Sequence, residues 1–274
     1  MADKLTASHE VTMKTVLVTG AAGHVGQAFR RYYGDPATSG YRLRLTDRVA
    51  EFPADPGQDV VVAELTDYDA VLAATAGVDA VVHLAADTRG TAPWASVLPN
   101  NIDATYNVFE AAREAGVRKV VYASTHHVCG YALGEDGACE TPGLPTAPVR
   151  PDSLYAVSKA FAEALGRHYV DRFGMSVICL RIGSCHGGDD ANSQRSRARR
   201  MREGGAGFPY GGREHAGVWI SNRDMAQLIH RSLEADVAYG IYNGASGNTP
   251  VVLDISRARD ELGYVPQDDV SELW

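Results

Sequence analysis

Tyr155 and Lys159 lie four residues apart in RPDSLYAVSKAFAEALGRHYVDRFG, so on a helix both side chains share one face. Asp152 and Ser153 are N-cap types and Gly174 closes the stretch. Val157, Phe161, Ala164, Leu165 and Tyr169 recur at helical spacing, which predicts that helix. A free phenol has a pKa of about 10 and is a poor base at neutral pH. An ammonium held beside it favours the phenolate and brings it into range for taking a hydroxyl proton. The same pair on an amphipathic surface helix would do nothing, so the reading depends on what the rest of the chain supplies.

A nucleotide site is the first thing it supplies. KTVLVTG is an apolar run ending in glycine, and AAGHVGQAFRRYYG opens a helix directly after it. Gly20, Gly23 and Gly26 form GxxGxxG between that strand and helix, with His24 and Val25 inside the loop. In this context Gly20 permits a tight turn, Gly23 lets backbone approach a pyrophosphate, and Gly26 allows close helix packing. The helix N-terminus then presents free N–H groups to the phosphates. The next strand, YRLRLTD, ends at Asp47, 21 positions after Gly26. A carboxylate there accepts from ribose hydroxyls and repels a 2′-phosphate, which predicts NAD over NADP. Arg48 beside it offers the opposite choice. Glu64 and Leu65 close the third strand where an adenine would lie, and the stretch from Ala85 and Ala86 to Arg89 faces the nicotinamide side.

Polar residues gather where a later strand stops. In STHHVCGY, Ser124 and Thr125 can donate to a substrate oxygen, and His126 and His127 could be bases or metal ligands. On extended chain, adjacent histidines face opposite ways, which argues against a metal site. From Gly187 to Gly212 the sequence turns polar and irregular, with Arg195, Arg197, Arg199, Arg200 and Arg202 in one run.

Strands alternate with helical runs to about residue 185, which implies βαβ crossovers and a parallel sheet. The fold class is therefore α/β: a Rossmann-type doubly wound parallel sheet with a small C-terminal substrate-binding lobe. We divide the chain into a flexible tail at 1–13, a nucleotide-binding domain at 14–185 carrying the Tyr155 helix, and the lobe at 186–274. The 274 residues suffice for a large core. A net charge of −8 disfavours nucleic acid and anionic membrane as partners. Neither a signal peptide nor a membrane-spanning run is evident. Cys129, Cys139, Cys179 and Cys185 form no CxxC, so free thiols in a reducing cytoplasm are expected.

TGAAGHVG, Asp47, HLAA at 83–86, Asn101, Ser124-Thr125, Tyr155-xxx-Lys159 and DISRARDELGY occur in the order found in the extended short-chain dehydrogenase/reductase family. The chain resembles that family over nearly its whole length. STHHVCGY, RPDSLYAVSK, LRIGSC and GYVPQDDVSELW look most like uronate dehydrogenases. Those enzymes oxidise the anomeric carbon of a uronic acid with NAD, giving a lactone. The resemblance implies Tyr155 as base, Lys159 lowering its pKa and holding the nicotinamide ribose, and Thr125 and Ser124 orienting the reacting oxygen. Asn101 would order the helix or a water near Lys159. Thr88, His126, His127, Ser184 and Arg213 would hold the substrate, and a homodimer or higher homo-oligomer through the Asn101 and Tyr155 helices would follow.

There are departures from the pattern. Thr125 stands where the family usually has serine, and His126 where uronate dehydrogenases have asparagine. The segment after Cys185 is longer and more basic. Glu214, with Arg213 beside it, falls where their carboxylate-binding arginine lies. The substrate therefore transfers less well than the machinery. A nucleotide-sugar epimerase or dehydratase with tightly bound NAD is the alternative within the family, and a non-catalytic NAD-binding protein the alternative outside it.

Overall fold

The computed structural model describes residues 13–49, 54–55, 58–133, 143–185, 187, 196 and 217–273. The strands are β1 (Lys14–Thr19), β2 (Tyr41–Asp47), β3 (Asp59–Val62), β4 (Ala80–His83), β5 (Lys119–Thr125), β6 (Ser176–Ile182) and β7 (Tyr239–Gly244). All pair in parallel, in the order β3-β2-β1-β4-β5-β6-β7. The order reverses between β1 and β4. Such a switch point opens a crevice beyond the carboxyl ends of the strands, which is where ligands bind in doubly wound sheets.

The helices in chain order are α1 (His24–Tyr33), α2 (Pro36–Ser39), α3 (Tyr68–Thr75), α4 (Trp94–Val97), α5 (Ala104–Glu114), α6 (Leu154–Phe173), α7 (Asn222–Glu234) and α8 (Ser256–Leu262). Alternation along the strands divides the core into two layers. Val16, Val18, Leu43, Leu45, Ile178 and Leu180 pack with Phe29 of α1 and Met225 and Leu228 of α7. Leu17, Val81, Val120, Val177 and Cys179 face the other way, onto Val71, Val108, Phe109 and Ala162 of α3, α5 and α6. Both layers are apolar, so the strands read as continuous hydrophobic runs.

Some boundaries differ from the sequence reading. The third strand stops at Val62, because it lies on the sheet edge with Val60 and Val62 exposed. Leu65 is nevertheless buried just past its end, and its carbonyl accepts from Asn107 Nδ2 at 2.9 Å. The helix expected from Asn101 begins earlier: α4 leads into a π-helix at Leu98–Asp103 and on into α5. The C-terminal portion, expected as a small lobe, contributes β7 to the main sheet and packs α7 on α1, where Tyr33 stacks on His230 at 4.4 Å. Cys129, Cys179 and Cys185 are buried free thiols, and Cys139 lies outside the described residues. No helix among the described residues is long and apolar enough to cross a membrane.

Candidate active site

Three glycines shape the crevice at the carboxyl ends of β1 and β4. Gly20 has φ +67, and a Cβ there would sit 2.7 Å from the Ala85 nitrogen, so β1 and β4 close on each other only around glycine. A Cβ on Gly26 would lie 2.6 Å from the Gly20 carbonyl oxygen, which seats the first turn of α1 on the loop. Gly23 is the exposed N-cap of α1, and no acidic residue occupies that helix's first turn. The helix end is thus open to an anion. Val25 is half-buried and His24 exposed, with its Nε2 2.8 Å from Asn222 Oδ1.

Asp47 ends β2 beside this loop. One carboxylate oxygen accepts from Ala22 N at 3.0 Å and the other from Val49 N at 3.3 Å. The carboxylate therefore braces the glycine loop as well as flanking it. Arg48 swings across to Asn100 Oδ1 at 3.3 Å. Glu64 is exposed and Leu65 buried beyond β3, and Ala85 and Ala86 are half-buried beyond β4. Thr19 Oγ1 accepts from Leu84 N at 3.2 Å and Ala85 N at 3.4 Å, so its own proton goes to His83 Nδ1 at 2.7 Å. His83 then donates from Nε2 to Thr105 at 3.1 Å. Burial, and secondarily the charge of Lys159, push its pKa down to about 3, so the ring is neutral.

At the other end of the crevice Ser153 caps α6, its hydroxyl accepting from Ala156 N at 3.2 Å, and Gly174 in the left-handed region ends the helix. Lys159 is 2% exposed and donates to the Ala123 carbonyl at 2.7 Å. Its nitrogen lies 4.6 Å from the Tyr122 ring centroid and 5.6 Å from that of Tyr155. Burial drives the Lys159 pKa down to about 7, only partly offset by Cys179 and Glu163. Burial also pushes the Tyr155 phenol up to about 12, and Asp152 adds to this, while a hydrogen bond from Thr125 pulls it back. The sequence reading had Lys159 lowering the Tyr155 pKa. Here desolvation dominates both groups, because the ammonium is turned to the Ala123 carbonyl, and Thr125 is the group that favours the phenolate.

Thr125 and Ser124 part company at the end of β5. Thr125 faces Tyr155, and its oxygen also takes the His127 N–H at 3.3 Å. Ser124 points to the opposite face of the strand and donates to Glu163 at 2.6 Å. Its expected role on the reacting oxygen is not what this geometry offers. Glu163 pairs with Arg181 through two bonds, 2.9 and 2.8 Å, with both side chains nearly fully buried. Arg181 continues to the Pro145 carbonyl at 3.0 Å and Cys129 Sγ at 3.0 Å, pinning the segment that leads into α6.

Asn101, buried in the π-helix, grips Asp87 on both backbone groups: its Nδ2 donates to the carbonyl at 3.0 Å and its Oδ1 accepts the N–H at 2.7 Å. It also donates to Ser158 at 3.0 Å, and Ser158 donates to the Tyr155 carbonyl at 2.6 Å. Asn101 thus ties the loop after β4 to the helix of the Tyr-Lys pair. Thr88 is exposed on that loop, between Asp87 and Arg89, which form a two-bond pair.

His126 and His127 open a 3₁₀ helix at His126–Leu133 rather than continuing extended chain. Their rings therefore lie side by side, 4.2 Å between centroids, and the opposite-faces argument does not hold. His126 donates from Nδ1 to the Ile182 carbonyl at 3.2 Å, and His127 from Nδ1 to Asp152 at 2.6 Å. Ser184, also buried, is bridged through its backbone to Val218 and Ile220. Arg213 and the Arg195–Arg202 run, Ser196 apart, lie outside the described residues.

Sequence reasoning passed over Asp152, Glu163 and His83. Glu163 was within reach, since it continues the four-residue spacing of Tyr155 and Lys159 on the same helix face. Asp152 was read only as a cap, and nothing local marked it as the partner of a histidine 25 residues earlier.

The chain is 39% identical over 273 residues to an NAD-dependent glucose-6-phosphate dehydrogenase of Haloferax volcanii, covering 94% of this chain and 95% of that protein. It is 36% identical over 259 residues to a uronate dehydrogenase of Agrobacterium fabrum, covering 94% and 86%. Its fold matches a solved mutant of the Agrobacterium tumefaciens uronate dehydrogenase in complex with NAD at a TM-score of 0.74, with 32% identity and coverage of 95% and 87%. The family model described as NAD dependent epimerase/dehydratase matches residues 16–245, nearly the whole crevice-forming sheet. On that span, with the glycine turn, the Asp47 brace and the Tyr155–Lys159 helix in place, the chain belongs to the NAD dependent epimerase/dehydratase family.

Proposed function

We propose that this protein is an NAD-dependent dehydrogenase that oxidises the anomeric carbon of an anionic sugar, with Tyr155 as the base. The observation that carries the reading is the Tyr155 phenol meeting the Thr125 hydroxyl at the carboxyl end of β5, with Lys159 one helical turn away. The glycine turn, the open N-terminus of α1 and Asp47 suit the phosphates and ribose of NAD. NAD, when bound, accepts the hydride. Tyr155 takes the proton of the sugar hydroxyl. Thr125 orients that oxygen and favours the phenolate, and Lys159 supplies positive charge beneath it.

Around the reacting carbon, His126 and His127 each donate from Nδ1 to a protein oxygen, and a neutral imidazole held this way has Nε2 as its acceptor nitrogen. Acceptors of this kind suit sugar hydroxyls. Thr88 and Ser184 flank them in our reading. The anion is a carboxylate or a phosphate, in keeping with the names of the two relatives, and Arg213 is the candidate to hold it. A second copy of the chain would cover Trp94, Tyr106, Leu154, Val157 and Phe161, large apolar side chains exposed on α4, α5 and α6. Division at residue 185 between nucleotide and substrate portions remains our functional partition, and a cytoplasmic location suits the free thiols.

The test is NADH formation with glucose 6-phosphate, galacturonate, glucuronate, glucose and L-arabinose. An anionic sugar oxidised at least about tenfold more efficiently than its neutral parent supports the reading, roughly one charge-assisted contact. Equal use of the neutral sugar removes the anion from it. Conversion of a nucleotide sugar without net NADH would replace it with the epimerase reading.

A further inference from the structure

Asn222 joins three segments that are distant in sequence. It is the first residue of α7 and is 5% exposed. Its Oδ1 accepts from His24 Nε2 at 2.8 Å and from Cys185 Sγ at 3.3 Å, and its Nδ2 donates to the Gly187 carbonyl at 3.1 Å. The amide cannot be turned the other way, since that would set two carbonyl oxygens against each other at Gly187. His24 must therefore carry its proton on Nε2. One end of this junction is the first residue of α1, whose N–H groups face the phosphate site. The other end is the strand-exit segment of Ser184, itself bridged to Val218 and Ile220.

We propose that Asn222 is a positioning residue that couples the phosphate-binding start of α1 to Ser184, Cys185 and Gly187, so that NAD binding orders the substrate side of the crevice. The inference rests on the cofactor placement proposed above. Asn222 is not needed to hold α7 on α1. Met225, Leu228, Ile229 and Phe29 are fully buried between those helices and the sheet, and Tyr33 stacks on His230. What the amide adds is a polar link from the phosphate loop to residues 185 and 187. When an anion draws the first turn of α1 into place, His24 moves with it, and Asn222 passes the constraint to the Gly187 carbonyl. Linkage requires the reverse as well: whatever orders Cys185 and Gly187 tightens NAD binding.

The test is amide hydrogen exchange of the full chain with and without NAD and with no sugar present, on wild type, Asn222→Ala and His24→Ala. His24 is exposed, so its substitution leaves the core untouched should Asn222→Ala fold poorly. In wild type, NAD should slow exchange on the order of fivefold or more both at 20–26 and at 184–187, the low end of measured couplings between sites. Either variant should keep the first effect and lose the second. A merely structural Asn222 would instead speed exchange at 184–187 equally with and without NAD. Slowing at 184–187 that survives in both variants, or is absent from wild type while 20–26 is protected, overturns the coupling alone. No slowing at 20–26 in wild type overturns the cofactor placement and the coupling with it.

Discussion

Replacing Lys159 by methionine should make the cofactor-free protein more stable at pH 6 and inactive at any pH. The side chain is 2% exposed, and burial lowers its pKa from 10.5 to about 7. The unfolded chain holds a proton between those values that the folded chain releases. Stability from this residue therefore rises with pH through that window, and the full penalty applies below about pH 7. At ~1.4 kcal/mol per pH unit, the gap from 10.5 to about 7 is worth roughly 5 kcal/mol. Methionine removes that cost but leaves the Ala123 carbonyl without its 2.7 Å donor, a loss of about 1–3 kcal/mol. The net gain at pH 6 is about 2–4 kcal/mol, or roughly 5–15 °C in the melting midpoint of a chain this size. Above pH 10.5 only the lost bond remains, and the variant should be the less stable by about 1–3 kcal/mol. Thermal denaturation of both proteins from pH 6 to 10.5 reads the difference directly. A variant less stable than wild type at pH 6, or a difference that does not shrink as pH rises, would show that desolvation does not govern Lys159.

Tyr155→Phe should retain NAD binding, measured by titration, and lose on the order of 100-fold in turnover on whichever sugar is oxidised. Wild type should bind NAD at least about tenfold more tightly than NADP, and Asp47→Asn should narrow that gap, because the like charge facing a 2′-phosphate is gone. Tighter NADP binding by wild type would promote Arg48 instead. Glu163→Ala leaves Arg181 buried and unpaired and should cost about 3–5 kcal/mol by urea denaturation, whereas Glu163→Met with Arg181→Met should recover most of it. Equal losses in the single and double variants would argue against the pair. On the proposed self-association through α4, α5 and α6, analytical ultracentrifugation should find wild type a dimer and Phe161→Glu a monomer, and a monomeric wild type would remove that face as an interface.

What could be read from the residues alone is what local backbone geometry dictates. Gly20 before a helix opening meant a turn that other residues resist, and the structure places it at φ +67 against Ala85. Tyr155 and Lys159 at helical spacing meant a shared face on any helix that formed. The apolar runs of β1, β4, β5 and β6 meant strands buried on both sides, and hence a parallel sheet. These statements concern neighbours in sequence, where covalent geometry and period decide the outcome.

Direction and environment were decided by packing. Ser124 and Thr125 are adjacent hydroxyls, and only the register of β5 between β4 and β6 sends one to Glu163 and the other to Tyr155. His126 and His127 read as opposed on extended chain, yet the strand ends at Thr125 and the 3₁₀ turn sets their rings together. Nothing local marked the contacts of Asn222, since its three partners come from positions 24, 185 and 187. The protonation of Lys159 follows the same rule. Four residues of spacing place it near Tyr155, but its pKa depends on how completely Tyr122, Ala123 and Cys179, from two other strands, exclude water from its nitrogen, and desolvation is a property of the assembled interior.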